Sequence, residues 1–208
     1  MAPPGAALKG DKVNISIIEH DYKWAYGATT RPRTDKLILH HAAAVQASPE
    51  QIHAVHIGNG WRGIAYNFYV RKDGSIHRGR EELAQGGHTA DHNATSIGIC
   101  FEGNFELEDM STAQVKGGRE LIAYLRQRYG ELPIFRHRDL NATACPGARF
   151  PFEEITKPEQ TELSDPTVQF YRVQVGAFTK LENAEAQLRA LRQAGFEGYI
   201  FTERGNSL

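Results

Sequence analysis

Apolar residues fall along this chain in short runs whose period changes, and the changes mark out its elements. Lys36 to Leu39 turns continuously apolar after the lysine and runs into His40-His41, the pattern of a strand covered on both faces of a sheet. A second such run spans Thr95 to Phe101, and Ile134-Phe135 is a third, leading into His137. Ala65 to Arg71 and Ser75 to Arg78 flank Asp73-Gly74, which predicts a hairpin. Helical spacing takes over twice in between. Ser48-Pro49-Glu50-Gln51 supplies a cap, a proline at the first helical position and a capping box, ahead of Ile52, Val55 and His56. Ser111 and Gln114 offer a second capping box before Val115, Ile122, Leu125 and Tyr129, and Gly130 stands where that helix should stop. Strands mixed with helices in this way predict an α/β domain, a mixed central β-sheet flanked by helices.

The two ends differ from this middle. Residues 1–29 read as an N-terminal lead-in with one short strand, Val13 to Ile18, and the main domain as residues 30–155. From Thr156 the composition shifts to Thr, Glu, Lys, Pro and Ser, a linker over 156–167. Beyond it Tyr171, Val173 and Val175 alternate with Arg172 and Gln174 as in a half-buried strand. Ala184, Leu188 and Leu191 mark a helix that Gly195 can end, and Tyr199 to Phe201 supplies a second strand. Residues 168–208 thus form a small β-α-β unit, near the size at which a fold needs outside support. It is expected to dock on the main domain or to self-associate with another chain.

Composition narrows the function classes. With 208 residues, 40% hydrophobic and 24% charged, the chain is globular in character, and its formal net charge of −1 argues against a nucleic-acid partner. No run approaches the roughly 18–20 apolar residues of a transmembrane segment. The start, Met1 to Lys9, shows no secretory signal pattern, so synthesis in the cytoplasm is expected. Two cysteines are too few for a disulfide framework, whereas nine histidines point toward chemistry.

The strongest local signal is His137-Arg138-Asp139-Leu140-Asn141-Ala142-Thr143-Ala144-Cys145-Pro146-Gly147. A histidine and a cysteine in one loop after a strand are both zinc ligands, and His40, ending a buried strand, is the natural third. Two histidines and a cysteinate leave the fourth tetrahedral position for water, the catalytic arrangement. On spacing alone a second reading stands beside it, with Cys145 as a core thiol and His137 as a hydrogen-bonded loop histidine. The kinase-like His137-Arg138-Asp139-Leu140 is set aside, since Ala144 occupies the asparagine position and no glycine-rich phosphate loop precedes it.

Five motifs then occur in order: Leu37-Ile38-Leu39-His40-His41, Ala65-Tyr66-Asn67-Phe68, Gly86-Gly87-His88-Thr89-Ala90, Ser96-Ile97-Gly98-Ile99 and His137 to Gly147. Together they resemble the type-2 N-acetylmuramoyl-L-alanine amidases, the superfamily of the phage zinc amidases and the peptidoglycan recognition proteins. The resemblance implies a peptidoglycan groove above one zinc ion (Zn2+) per chain. It also implies hydrolysis of the amide between the lactyl group of N-acetylmuramic acid and L-alanine, on the cell wall. By motif match the metal ligands are His40, His137 and Cys145. Consecutive strand residues point to opposite faces, so His41 is left a hydrogen-bonded structural role.

The same resemblance puts a catalytic tyrosine at Tyr66, where the phenol would orient or help deprotonate the attacking water, and a donor to the developing oxyanion at Thr143. Substrate contacts fall on His88, Asn93 and Arg80, with Trp61 at the groove or in packing. Where some relatives carry a glutamate base this chain has Cys100, and Glu102 is a weaker substitute. His20, His53, His56, His77 and His92 read as surface or structural. The tail from Val168 is similar to the opening of a SPOR domain, with about half of the expected fold, and implies binding to glycan strands stripped of peptide. From a different class, a module that binds muropeptides without cutting them is the alternative function.

Overall fold

The computed structural model describes residues 14–157, 176 and 178–194. The chain divides into two units, the first ending at Gln160 and the second beginning at Thr161. In the first, β1 (Ile17–Ile18), β2 (Lys36–His41), β3 (Phe68–Val70), β4 (Ile76–Arg78), β5 (Ser96–Phe101) and β6 (Ile134–Arg136) form one sheet in the order β1-β4-β3-β5-β2-β6. β3 and β4 are antiparallel and every other pairing is parallel, so the sheet is mixed. The helices are α1 (Pro49–Gly58), α2 (Thr112–Tyr129) and α3 (Phe152–Thr156), with a 3-10 turn at His137–Asp139.

Strand alternation sorts the side chains into two unlike faces. Leu37 and Leu39 of β2, Phe68 and Val70 of β3, and Ile97, Ile99 and Phe101 of β5 join Val115, Leu121, Ile122 and Leu125 of α2 and Ile155 of α3 in one apolar core. Burying each such side chain contributes about 1.5–3 kcal/mol. The opposite face holds a smaller cluster, Tyr69 and Cys100 with Ala47, Ile52 of α1 and Ile64, packed by Tyr22 and Trp24.

Local chemistry explains the element ends. Ser48 and Gln51 close the expected capping box of α1, with Pro49 in the first turn. Ser111 caps α2 by accepting from the Gln114 amide at 3.1 Å, but the Gln114 side chain does not complete a box. It is fully buried instead, and its Nε2 donates to the carbonyls of Val70 and Glu102 at 2.9 and 2.8 Å, tying the helix to the sheet. A buried carbonyl left unpaired costs more than a cap bond is worth. The hairpin strands are shorter than Ala65 to Arg71 suggests, and just before β3 the Asn67 side chain accepts from the Gly98 amide at 3.1 Å and donates to the Ala84 carbonyl at 3.0 Å. Gly74, at φ 86, makes the turn, and a Cβ there would stand 2.5 Å from the Ala113 carbonyl oxygen.

In the second unit α4 (Leu181–Gln193) is described, with Ala184, Leu188 and Leu191 half-buried on one side. The strands expected around Val173 and Tyr199, the stop at Gly195, and Val13 lie outside the described residues. Among the described residues no helix is long and apolar enough to cross a membrane.

Candidate functional site

The smaller face of the sheet opens at its edge into a cavity of about 470 Å³, lined by His40, His41, Ala42, Ala43, His56, Trp61, Tyr66, His88, Asn104, Glu106, His137, Thr143 and Cys145 among others. His40 comes from the end of β2, His137 from the turn that follows β6, and Cys145 from the loop beyond it. That loop is closed on itself: the Arg138 amide donates to the Cys145 carbonyl at 2.9 Å, and the Arg138 guanidinium donates to the Gly147 carbonyl. Gly147 sits at φ 105, and a Cβ there would lie 2.5 Å from the Phe105 backbone, so the close approach demands glycine.

The ligand atoms of His40, His137 and Cys145 all lie within 4.8 Å of one another. His40 Nδ1 stands 3.7 Å from Cys145 Sγ, against about 3.5 Å between a nitrogen and a sulfur on one tetrahedral zinc. Burial and the neighbouring histidines hold His40 well below its ordinary pKa, burial lowers that of His137, and burial pushes the Cys145 thiol up to about 11. Two neutral imidazoles and a thiol make a donor set that fits zinc; a divalent cation among them would draw the proton from sulfur. His137 Nε2 meets Asn141 Oδ1 at 3.2 Å, a partner that orients the ring.

The other expected site residues divide by where they stand. Tyr66 lines the cavity with its ring 5.2 Å from that of His40, and burial, Cys100 and Cys145 hold its phenol well above the ordinary value. In that protonated form the phenol is a hydrogen-bond donor. Thr143 also lines the cavity; its Oγ1 accepts from the Cys145 amide at 3.2 Å, which leaves its proton to give. His88 is 7% exposed on the cavity wall, its pKa lowered to about 3 by burial and by His137.

Asn93 lies outside the lining, because its Oδ1 is occupied by the amides of His88 at 2.8 Å and Thr89 at 3.0 Å. Arg80 is buried and donates to the carbonyls of Ile64 and Gln85, each at 2.8 Å. It borders an adjoining recess of about 330 Å³ that shares Trp61 and Gly87 with the first cavity. Trp61 is exposed at that shared rim. His41 accepts from the Phe105 amide through Nδ1 at 3.2 Å. Glu102 is buried against Arg71 at 3.0 Å, away from the cavity lining.

His56, read from the sequence as surface or structural, lines the cavity, and so do Glu106 and Asn104, which the sequence did not mark. His56 accepts from the Ala65 amide through Nδ1 at 3.1 Å, so its neutral ring carries its proton on Nε2, and burial and Arg80 lower its pKa to about 4. Its place on a helix face gave no signal beyond the residue type. Glu106, a carboxylate on the wall, accepts from the Ala148 amide at 2.9 Å and lies in a loop with no motif of its own.

Comparison with known proteins gives this geometry a context. A family described as N-acetylmuramoyl-L-alanine amidase matches residues 14–148, and the SPOR domain family matches residues 167–208. The endolysin of Klebsiella phage KP32 is 29% identical over 126 residues, covering 57% of this chain and 83% of that protein. Peptidoglycan-recognition protein SC2 of Drosophila melanogaster is 31% identical over 123 residues, 53% of this chain and 66% of that protein. Among solved structures, an N-acetylmuramoyl-L-alanine amidase from Clostridium intestinale aligns with a TM-score of 0.66 at 39% identity, covering 68% of this chain and 95% of that one.

Proposed function

For a chain that belongs to the N-acetylmuramoyl-L-alanine amidase family, we propose a zinc-dependent reaction at the cavity, with His40, His137 and Cys145 as the ligands. The substrate is peptidoglycan or its muropeptides, and the bond cut joins the lactyl carbonyl of N-acetylmuramic acid to the amine of L-alanine. The observation that carries the reading is the convergence of these three ligand atoms, one from the end of β2 and two from the segment 137–147 nearly a hundred residues later, within 4.8 Å at a cavity large enough for a peptide stem.

A bound zinc ion supplies Lewis-acid chemistry, polarising a carbonyl oxygen and acidifying a water molecule. The chain supplies the rest. Tyr66 keeps its phenolic proton and Thr143 has its hydroxyl proton unspent, so both are donors for a carbonyl oxygen that gains negative charge during attack. His56 presents a neutral Nε2–H to the same cavity, suited to an amide or sugar oxygen of the substrate. Hydrolysis adds hydroxide to the carbonyl carbon and a proton to the leaving L-alanine nitrogen. Arg80 and Trp61 border the adjoining recess, where the stem extends past the scissile bond. Asn93 acts on substrate indirectly, through the loop it holds. The SPOR match supports a second contact between the tail and wall glycan, and self-association through that tail is part of the same proposal.

Purified protein incubated with isolated cell walls should release new L-alanine amino termini. Release of reducing sugar instead, or binding to walls without cleavage, would contradict this function.

A further inference from the structure

Behind the metal-ligand histidine lies a second layer of side chains whose hydrogen bonds can be counted proton by proton. His88 fills a slot between two glycines: a Cβ on Gly98 or on Gly86 would each stand 2.3 Å from its ring. Gly98 belongs to β5, on the same face as Ser96 and Cys100, and the strand is thus bare where the imidazole must lie. One ring nitrogen of His88 faces Ser96 and the other faces His40. All three residues, and Thr89 beside them, are buried.

A serine hydroxyl carries a single proton. That of Ser96 goes to the His92 carbonyl at 2.8 Å, an oxygen that only accepts. Toward His88 Nε2, at 3.5 Å and the longest link in the chain, Ser96 Oγ is left to accept, so that nitrogen must carry the proton. In a neutral ring His88 Nδ1 is then bare. It can accept from the Thr89 hydroxyl at 2.9 Å and from His40 Nε2 at 3.0 Å. His40 Nε2 must therefore hold the proton, which it shares with Thr89 Oγ1 at 3.3 Å. The lone pair of His40 falls on Nδ1, the nitrogen 3.7 Å from Cys145 Sγ.

We infer that Ser96, acting through His88, is a positioning residue that fixes the tautomer of His40 and so decides which of its nitrogens is free to hold a metal. The inference rests on the zinc reading for its use but not for its test, because the tautomers exist in the metal-free chain. It also gives His88 a role besides any contact with substrate. The reversed arrangement, with a proton on His88 Nδ1, would put the His40 proton on Nδ1 and close the ligand position.

Two-bond proton–nitrogen spectra of metal-free protein carrying nitrogen-15 histidine read the tautomers directly. Both His88 and His40 should be Nε2-protonated in the unaltered chain; an Nδ1-protonated ring at either position overturns the inference, and this readout needs no variant to fold. Ser96→Ala should turn His40 into a mixture of tautomers and weaken zinc binding, measured by chelator competition, by about 10–100-fold. Ser96→Thr, which keeps the hydroxyl, should restore both. If Ser96→Ala keeps the single Nε2-H tautomer of His40, the inference fails even if zinc binds. If no zinc binds to the unaltered chain, the zinc reading fails, while the tautomer spectra still support or overturn the relay.

Discussion

The two faces of the central sheet are built from alternate residues of the same strands, yet one is filled and the other is furnished. On the first, Leu37, Leu39, Ile97, Ile99 and Phe101 meet α2 and α3 in a continuous apolar core. On the second, the alternate residues are Ile38 and His40 of β2 and Ser96, Gly98 and Cys100 of β5, and the cavity begins where the apolar cluster ends. Face one holds the sheet together. Face two gives up apolar packing for buried polar groups, whose burial costs least where each finds a partner, as His53, His77, His88 and Asn67 do. The lesson is that stability and chemistry are separated by strand parity, so variants on the two faces should fail in different ways.

The largest effect is expected at the furnished face. Cys145→Ser should lower zinc affinity by more than about 100-fold, beyond the range of a supporting contact, with hydrolysis falling alongside it while the melting temperature of the metal-free protein stays put. Titration against a competing chelator checks this, and unchanged affinity would remove Cys145 from the ligand set.

Next in size, and opposite in kind, is Leu121→Ala in the filled face. Leu121 is fully buried, so its truncation should cost about 2–5 kcal/mol in denaturant unfolding. Zinc affinity of the folded fraction should be unchanged. A loss of affinity without a loss of stability would mean the two faces are not separable.

Tyr66→Phe comes third. With its phenol acting as a donor, its loss should lower kcat by about 100-fold while zinc content and fold persist. An unchanged rate would return Tyr66 to packing.

The last effect is a pH dependence to which the buried histidines of the furnished face contribute. His56 and His88 have pKa values lowered to about 4 and about 3, while an unfolded chain carries histidines near the ordinary 6.5. Between those values the unfolded state binds more protons, so the stability from keeping these rings neutral is complete above about 6.5 and is lost as pH falls toward 4. Thermal melts of metal-free protein should shift down by several degrees between about pH 7.5 and 4.5. A pH-independent melting temperature would contradict the burial of these rings.

How much of this is legible in the sequence follows the same division. The filled face is written in periodicity: the apolar runs of β2 and β5 and the spacing in α2 locate it, and Ser48 and Ser111 start the helices where capping chemistry says they should. The furnished face is written in individual residues, and there a pattern carries less. His40, His137 and Cys145 stand out because metal ligands must be particular residue types, and the fold brings them together. Arg80 and Gln114 do not announce that they donate to buried carbonyls, because those acceptors belong to distant backbone that only the folded chain supplies. His56 and Glu106 reach the cavity for the same reason, through tertiary placement that leaves no local mark.

On the proposed function this amidase works through one zinc ion held by His40, His137 and Cys145. Stripping the purified protein with a strong chelator, then adding zinc back in increments while counting new L-alanine amino termini from cell walls, tests it most directly. Activity should vanish on stripping and return in proportion to zinc, levelling off at one ion per chain. Full hydrolysis by the metal-free protein would contradict it.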